Sequence, residues 1–194
     1  MPKSKILAFS GSTRRESFNR QLLAITVTAA REAGADVTHI DLDDFPLPIY
    51  DQDLETESGP PENAIKLKEL FLAHQGLLLA CPEYNSSVTP LWKNAIDWVS
   101  RPDKTHPALA AYSDKTAVIM SASPGALGGL RGLVHVRAIL ANIGVLVLPE
   151  QIAVGSAGKA FEDSGNLADP KQHAKARDLG KLLATVLTKL HANP

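Results

Sequence analysis

The feature that most restricts the fold of this sequence is a rhythm, in which short, uninterrupted apolar runs alternate with longer amphipathic segments. "KILAFS" (5–10), "GLLLAC" (76–81), "KTAVIMS" (115–121) and "VLVLPEQIAV" (145–154) are apolar continuously instead of at every second residue. Strands of that kind are predicted to be covered on both faces, as in a parallel sheet between two helical layers. "DVTHIDL" (36–42) is more polar and suits a strand nearer an edge. Helix-spaced segments fall between the strands at 18–32, 62–74, 90–100, 129–142 and 171–191, and the glycine of "REAGAD" is the stop signal of the first. Strands alternating with helices, joined by right-handed crossovers, predict a doubly wound α/β fold with a five-stranded parallel sheet.

At 194 residues the chain is long enough for one such core and short for two, so a single domain spanning 1–194 is expected. Two stretches resist regular structure. "DFPLPIYDQDLETESGPPEN" (44–63), rich in proline and acid, is expected to be an extended surface connection, and "GSAGKAFEDSGNLADPKQ" (155–172) a long loop before the last helix. With 20 basic and 21 acidic residues the formal net charge is -1, so neither nucleic acid nor an anionic membrane is an expected partner, and any recognition of anions must be local. The apolar runs are far below membrane-spanning length, and the one near the N-terminus is too short for a signal-peptide core. One cysteine, Cys81, cannot form an internal disulfide, which fits a reducing compartment, and a cytoplasmic location is expected. No histidine partner for that thiol is evident, so it reads as buried and inert, and six scattered histidines offer no metal-ligand spacing.

In doubly wound sheets, ligands collect beyond the carboxyl ends of the strands. The turn "SGSTRRESFN" (10–19) follows the first strand and opens the first helix, where unsatisfied amides and the helix dipole suit an anion. Ser12, Thr13, Ser17 and Asn19 add short donors, and Arg14 or Arg15 can supply charge, although Ser17 also sits where an ordinary helix cap would. No G-x-x-x-x-G-K-[ST] and no G-x-G-x-x-G is present, so a terminal monophosphate fits better than a triphosphate or a pyrophosphate. Asp41 can be read as a ribose-binding acid, but it lies further from Gly11 than the dinucleotide pattern wants. The turns after the third and fourth main strands repeat the theme. Pro82 and Tyr84 can form a flat wall, Asn85 can bond the edge of a heterocycle, and Ser123, Gly125, Gly128 and Gly129 let backbone come close. Three turns converging on one phosphate and one flat ring imply a mononucleotide, and FMN has that shape.

"GSTRRESFN", "PEYNSSVTPLWKNAIDWVSR" and "SPGALGGLRG", in this order and spacing over residues 5–154, resemble the NADPH-dependent FMN reductase family. These are flavodoxin-like enzymes that include quinone, chromate and azo-dye reductases. The resemblance implies three layers with strand order 2-1-3-4-5. It also implies an NAD(P)H oxidoreductase that passes hydride from NADPH (or NADH) through FMN to a flavin, quinone or similar small-molecule electron acceptor, with no general base from the protein. It places Ser12, Arg14, Ser17 and Asn19 at the FMN phosphate, with Thr13 and Phe18 among the other cofactor-binding residues, and Pro82, Glu83, Tyr84 and Asn85 along the isoalloxazine ring and ribityl chain. Ser123, with Gly125, is then the third flavin contact, and Arg15 a candidate for the 2′-phosphate of NADPH. Thr89 stands where many relatives have proline, and Trp92 where many have leucine. Relatives are homodimers or homotetramers, so the apolar surplus around Trp92 and Trp98, the polar Asp97 and Arg101, and "HVRAILANIG" are candidate subunit contacts. Two other classes compete, a flavodoxin-like electron carrier and a non-catalytic FMN-binding module. The near-neutral charge argues against the carrier, since such carriers are usually strongly acidic.

Overall fold

Three strands buried along nearly their whole length, β1 (Lys5–Ser10), β3 (Gly76–Ala80) and β6 (Thr116–Ala122), form the centre of a five-stranded parallel sheet. In this computed structural model, which describes residues 3–191, β2 (Asp36–His39) and β7 (Leu146–Val154) complete the order β2-β1-β3-β6-β7. This is the expected 2-1-3-4-5 once a short hairpin between β3 and β6 is numbered separately. The first two and last three residues of the expected 1–194 span lie outside the described residues.

The continuous apolar runs arise because alternate residues serve different layers. Ile6, Ala8, Leu78, Ala80, Val118 and Met120 face α1 (Phe18–Glu32) and α6 (Pro170–Leu190). Leu7, Phe9, Leu77, Leu79, Ala117 and Ile119 face α3 (Glu62–Ala73), α4 (Pro90–Ser100) and α5 (Leu130–Asn142). Burying each large aliphatic side chain contributes about 1.5–3 kcal/mol, so replacing one of these with a polar residue on either face would be costly. The two helical layers leave only the strand ends and their turns open to a ligand.

Four expectations need correction. The segment 44–63 is not wholly extended, because Asp51 accepts from the amides of Asp53 and Leu54 and starts α2 (Gln52–Ser58). Likewise β2 stops at His39 rather than running to Leu42, since the Asp41 carboxylate accepts from the Asp43 amide and turns the chain into a 3-10 helix. The run 145–154 is an edge strand, not one buried on both faces, and Leu146 is exposed. Its register against β6 shifts between Ala117 and Ile119, which leaves room for Pro149. Arg137 of α5 donates to the carbonyls of Val147 and Leu148, at 3.1 and 2.8 Å, and holds this irregular stretch. The 155–172 segment has structure too, a 3-10 turn over Ala157–Lys159 and a bridge pairing Phe161 with Leu167.

Candidate active site

The turn between β1 and α1 is drawn tightly against its neighbours. Gly11 has no room for a side chain, because a Cβ there would lie 2.9 Å from the Cβ of Trp92 and 3.2 Å from Pro82. The Gly11 carbonyl accepts the hydroxyl of Thr89, whose oxygen also receives the Trp92 amide at the start of α4. Ser17 occupies the cap position of α1, yet its hydroxyl makes no capping bond. The first amides of α1 therefore point outward without partners, beside the positive end of the helix dipole. Arg14 adds a full charge. Its guanidinium lies 5.2 Å from the centroid of the Phe18 ring and, among the described residues, pairs with no carboxylate.

The second turn is a hairpin that sequence reading did not resolve, β4 (Glu83–Tyr84) against β5 (Ser87–Val88). Asn85 and Ser86 both have positive φ, 49° and 65°, the backbone of a two-residue turn whose twist matches its strands. The Glu83 carboxylate does not face a ligand alone. It accepts from the Gly132 amide at 2.8 Å and lies 3.4 Å from Arg131, so it caps α5 from outside that helix. Gly129 begins α5 in the left-handed region, at φ 88°, with no side-chain cap of its own.

The third turn is stitched to the first by Asn19. Its Nδ2 donates to the Ala122 carbonyl at 2.8 Å, while its Oδ1 accepts from the Ala122 amide at 3.0 Å. This paired bond fixes the end of β6 against the start of α1. Ser123 follows at once, its oxygen accepting from the Gly125 amide.

Together these turns enclose a cleft of about 310 Å³. Ser12, Arg14, Ser17, Phe18 and Asn19 line it from the first turn, Pro82, Glu83 and Tyr84 from the second, and Ser123 from the third. Thr13, Asn85 and Gly125 are not among its lining residues, because Asn85 forms the hairpin tip and Gly125 braces its own turn. Asp41 is elsewhere. It pairs with Arg20, and both line a separate small pocket with Ser10, His39 and Asp44. Burial and the nearby cations Arg31 and Arg20 hold the His39 pKa below its ordinary value. Cys81 is buried, and burial pushes its thiol far up, out of reach of nucleophilic chemistry near neutral pH. Among the described residues no group of three or more His, Cys, Asp or Glu could hold a metal ion.

The expected subunit contacts on α4 have partners within this chain. Trp92 and Trp98 are buried, Lys93 pairs with Asp97, and Arg101 pairs with Glu55. Exposed apolar residues instead sit just before and along α5, at Leu127, Leu130 and Val134. Sequence reading had no signal for the Thr89 bond, the Glu83 cap or the position of Phe161, since each joins residues far apart in the chain.

A flavodoxin-like sheet whose strand ends present an anion-suited turn beside a flat wall defines a mononucleotide-binding α/β protein. Comparison with known proteins makes this specific. The family model described as NADPH-dependent FMN reductase matches residues 4–159, and the chain belongs to that family. It is 33% identical over 199 residues to a probable NADPH:quinone oxidoreductase 2 of Oryza sativa subsp. japonica, covering 100% of this chain and 94% of the rice protein. It is 34% identical over 168 residues to an NAD(P)H-dependent FMN reductase of Pseudomonas aeruginosa, covering 86% of each. Among solved structures, FerB of Paracoccus denitrificans superposes with a TM-score of 0.81 at 24% identity, covering 96% of this chain and 98% of FerB, a likeness of fold.

Proposed function

We propose that this chain is a single-domain, FMN-dependent NAD(P)H oxidoreductase that reduces quinones, free flavin or similar small electrophiles. The observation that carries the reading is the cleft itself, where the unpaired Arg14 guanidinium, the free α1 amides and the uncapped Ser17 hydroxyl face the wall of Pro82 and Tyr84. Those groups fit a flavin mononucleotide. Ser12, Arg14 and Ser17 would hold its phosphate, Pro82 and Tyr84 its ring, and Ser123 its polar edge, with Asn19 and Glu83 keeping the three turns in register. FMN held there would supply the redox chemistry, two-electron transfer between a nicotinamide and a small acceptor. The protein's own part is to orient and to exclude: the turns fix the phosphate end, and the exposed Tyr84 leaves one side of the cleft open for a second flat molecule.

The finer assignments belong to the same proposal. NADPH or NADH would serve as donor, and the lone buried cysteine accords with the cytoplasm. Among the described residues no helix is long and apolar enough to cross a membrane. Homodimer or homotetramer formation would cover the exposed Leu127, Leu130 and Val134. The test is a titration of the purified chain with FMN, followed by anaerobic NADPH. Saturable binding and rapid bleaching of the yellow colour are expected. Binding without bleaching would make the chain a carrier or a non-catalytic module, and absence of binding would reject the assignment.

A further inference from the structure

The 155–172 segment, read from sequence only as a long loop, reaches the phosphate end of the cleft through one side chain. The Phe161 ring lies parallel to the Phe18 ring, with centroids 6.1 Å apart and planes 6° from each other. The Arg14 guanidinium lies over that same Phe18 ring. Among the described residues no carboxylate holds Arg14, so the ring is what seats the charge. We infer that Phe161 is a positioning residue for the anion site: it fixes the plane of Phe18, Phe18 seats Arg14, and the loop thereby tunes recognition of the cofactor's phosphate. This rests on the FMN reading above and adds to it a residue nearly 150 positions away from the first turn.

Several features make the chain of contacts more than chance neighbourhood. Phe161 is pinned from both sides, by its bridge to Leu167 and by the Ala168 amide donating to the Ala160 carbonyl at 2.9 Å. Ala157 is buried, and its amide donates to the Ser123 carbonyl at 3.0 Å, so the base of the loop is tied to the third turn of the cleft. Phe18 and Phe161 both pack against the core beneath α1 and α6, which leaves their planes little freedom. A parallel, offset aromatic pair is the geometry that the ring quadrupoles favour. A cation held over such a ring keeps its N–H groups free for an anion, which a carboxylate partner would occupy.

Phe161 does not itself line the cleft and meets it only through Phe18, so removing its ring should act on the phosphate end alone. Riboflavin, which has the ring and ribityl chain without the phosphate, is the internal control. In the wild-type chain FMN is expected to bind more tightly than riboflavin, and Arg14→Ala is expected to abolish most of that preference. Phe161→Leu keeps apolar bulk but loses the aromatic plane. It should raise the FMN dissociation constant by roughly three- to tenfold, the range of one cation–π contact, with the riboflavin constant unchanged. Phe161→Tyr should restore the wild-type preference. Equal weakening of both ligands by Phe161→Leu would mean that the loop only supports the fold, and an unaltered preference would mean that Arg14 needs no support; either overturns the inference while the FMN reading stands. A wild-type chain with no preference for FMN removes the anion site, and the inference with it.

Discussion

Thr89, the cap of α4, donates its hydroxyl to the carbonyl of Gly11 across 2.9 Å, joining the turn after β1 to the helix that follows the hairpin. The same oxygen accepts from the Trp92 amide at 3.3 Å, so one buried atom serves as cap and tie. A proline at this position could not donate. Thr89→Val should therefore cost about 2–3 kcal/mol in urea unfolding, the sum of a lost cap and an orphaned buried carbonyl, and should weaken FMN binding. Thr89→Ser should recover most of both. Equal stability of the valine variant and the wild type would show that the tie is dispensable.

Asn19 makes a demand of a different kind, because its amide both donates to and accepts from the backbone of Ala122. Asn19→Asp preserves the shape but cannot donate when ionised, and it sets a buried charge against a carbonyl and beside the proposed phosphate. A loss of about 3 kcal/mol is expected at neutral pH, with FMN retention falling further than stability alone explains. Acid should ease the defect, since a protonated carboxyl can again donate. The comparison to make is the denaturation midpoint of wild type and variant at neutral and mildly acidic pH, and a gap that fails to narrow would contradict the bidentate role.

The contrast between these residues and the sequence shows where legibility ends. The apolar runs marked β1, β3 and β6 because burial on both faces leaves a continuous signature, and the first turn was readable because hydroxyls, arginines and a strand-to-helix switch lie side by side in the chain. β7 misled for the same reason: its run is apolar, but Pro149 and the register shift place it at an edge, a fact that depends on pairing with β6. Trp92 and Trp98 looked like an apolar surplus because the strap that covers part of α4, with Pro48 accepting from the Trp98 indole at 2.8 Å, comes from a segment read as merely extended. Local pattern carries local structure, whereas Thr89 on Gly11, Glu83 on Gly132 and Phe161 on Phe18 are products of the fold.

The strap also predicts a pH dependence. Glu55 accepts from Arg101 at 2.9 Å and from the Tyr50 hydroxyl at 2.9 Å, and the Arg101 bond, with help from Tyr50, holds its carboxyl below the ordinary glutamate value. A depressed folded-state pKa gives stability that is fully present above the unfolded value and is lost as pH falls through the lower, folded one. Asp103 acts in the same direction, lowered chiefly by Lys68 and then by Thr105. Unfolding free energy should thus decline on the acid side of the ordinary carboxylate range. Glu55→Gln should flatten part of that decline while lowering stability at neutral pH. Urea titrations of both proteins across this range provide the check, and parallel curves would rule out the Glu55 contribution.

Gly129 supplies the most demanding test of the third turn. Its φ of 88° is in the left-handed region, and an added Cβ would sit 2.0 Å from the Oγ of Ser121 and 2.9 Å from its Cβ. That Oγ is buried and has no hydrogen-bond partner, so it has no tether of its own and can turn only within packed surroundings. Gly129→Ala should therefore cost about 2 kcal/mol or more, of which the backbone conformation accounts for about 1–2 kcal/mol and the overlap for the rest. Combining it with Ser121→Gly removes the overlap and leaves the backbone cost, so the double variant should lose less than the two single losses added together. Strict additivity in that cycle would show that α5 shifts to make room, and that the cap which Glu83 extends to Gly132 tolerates the movement.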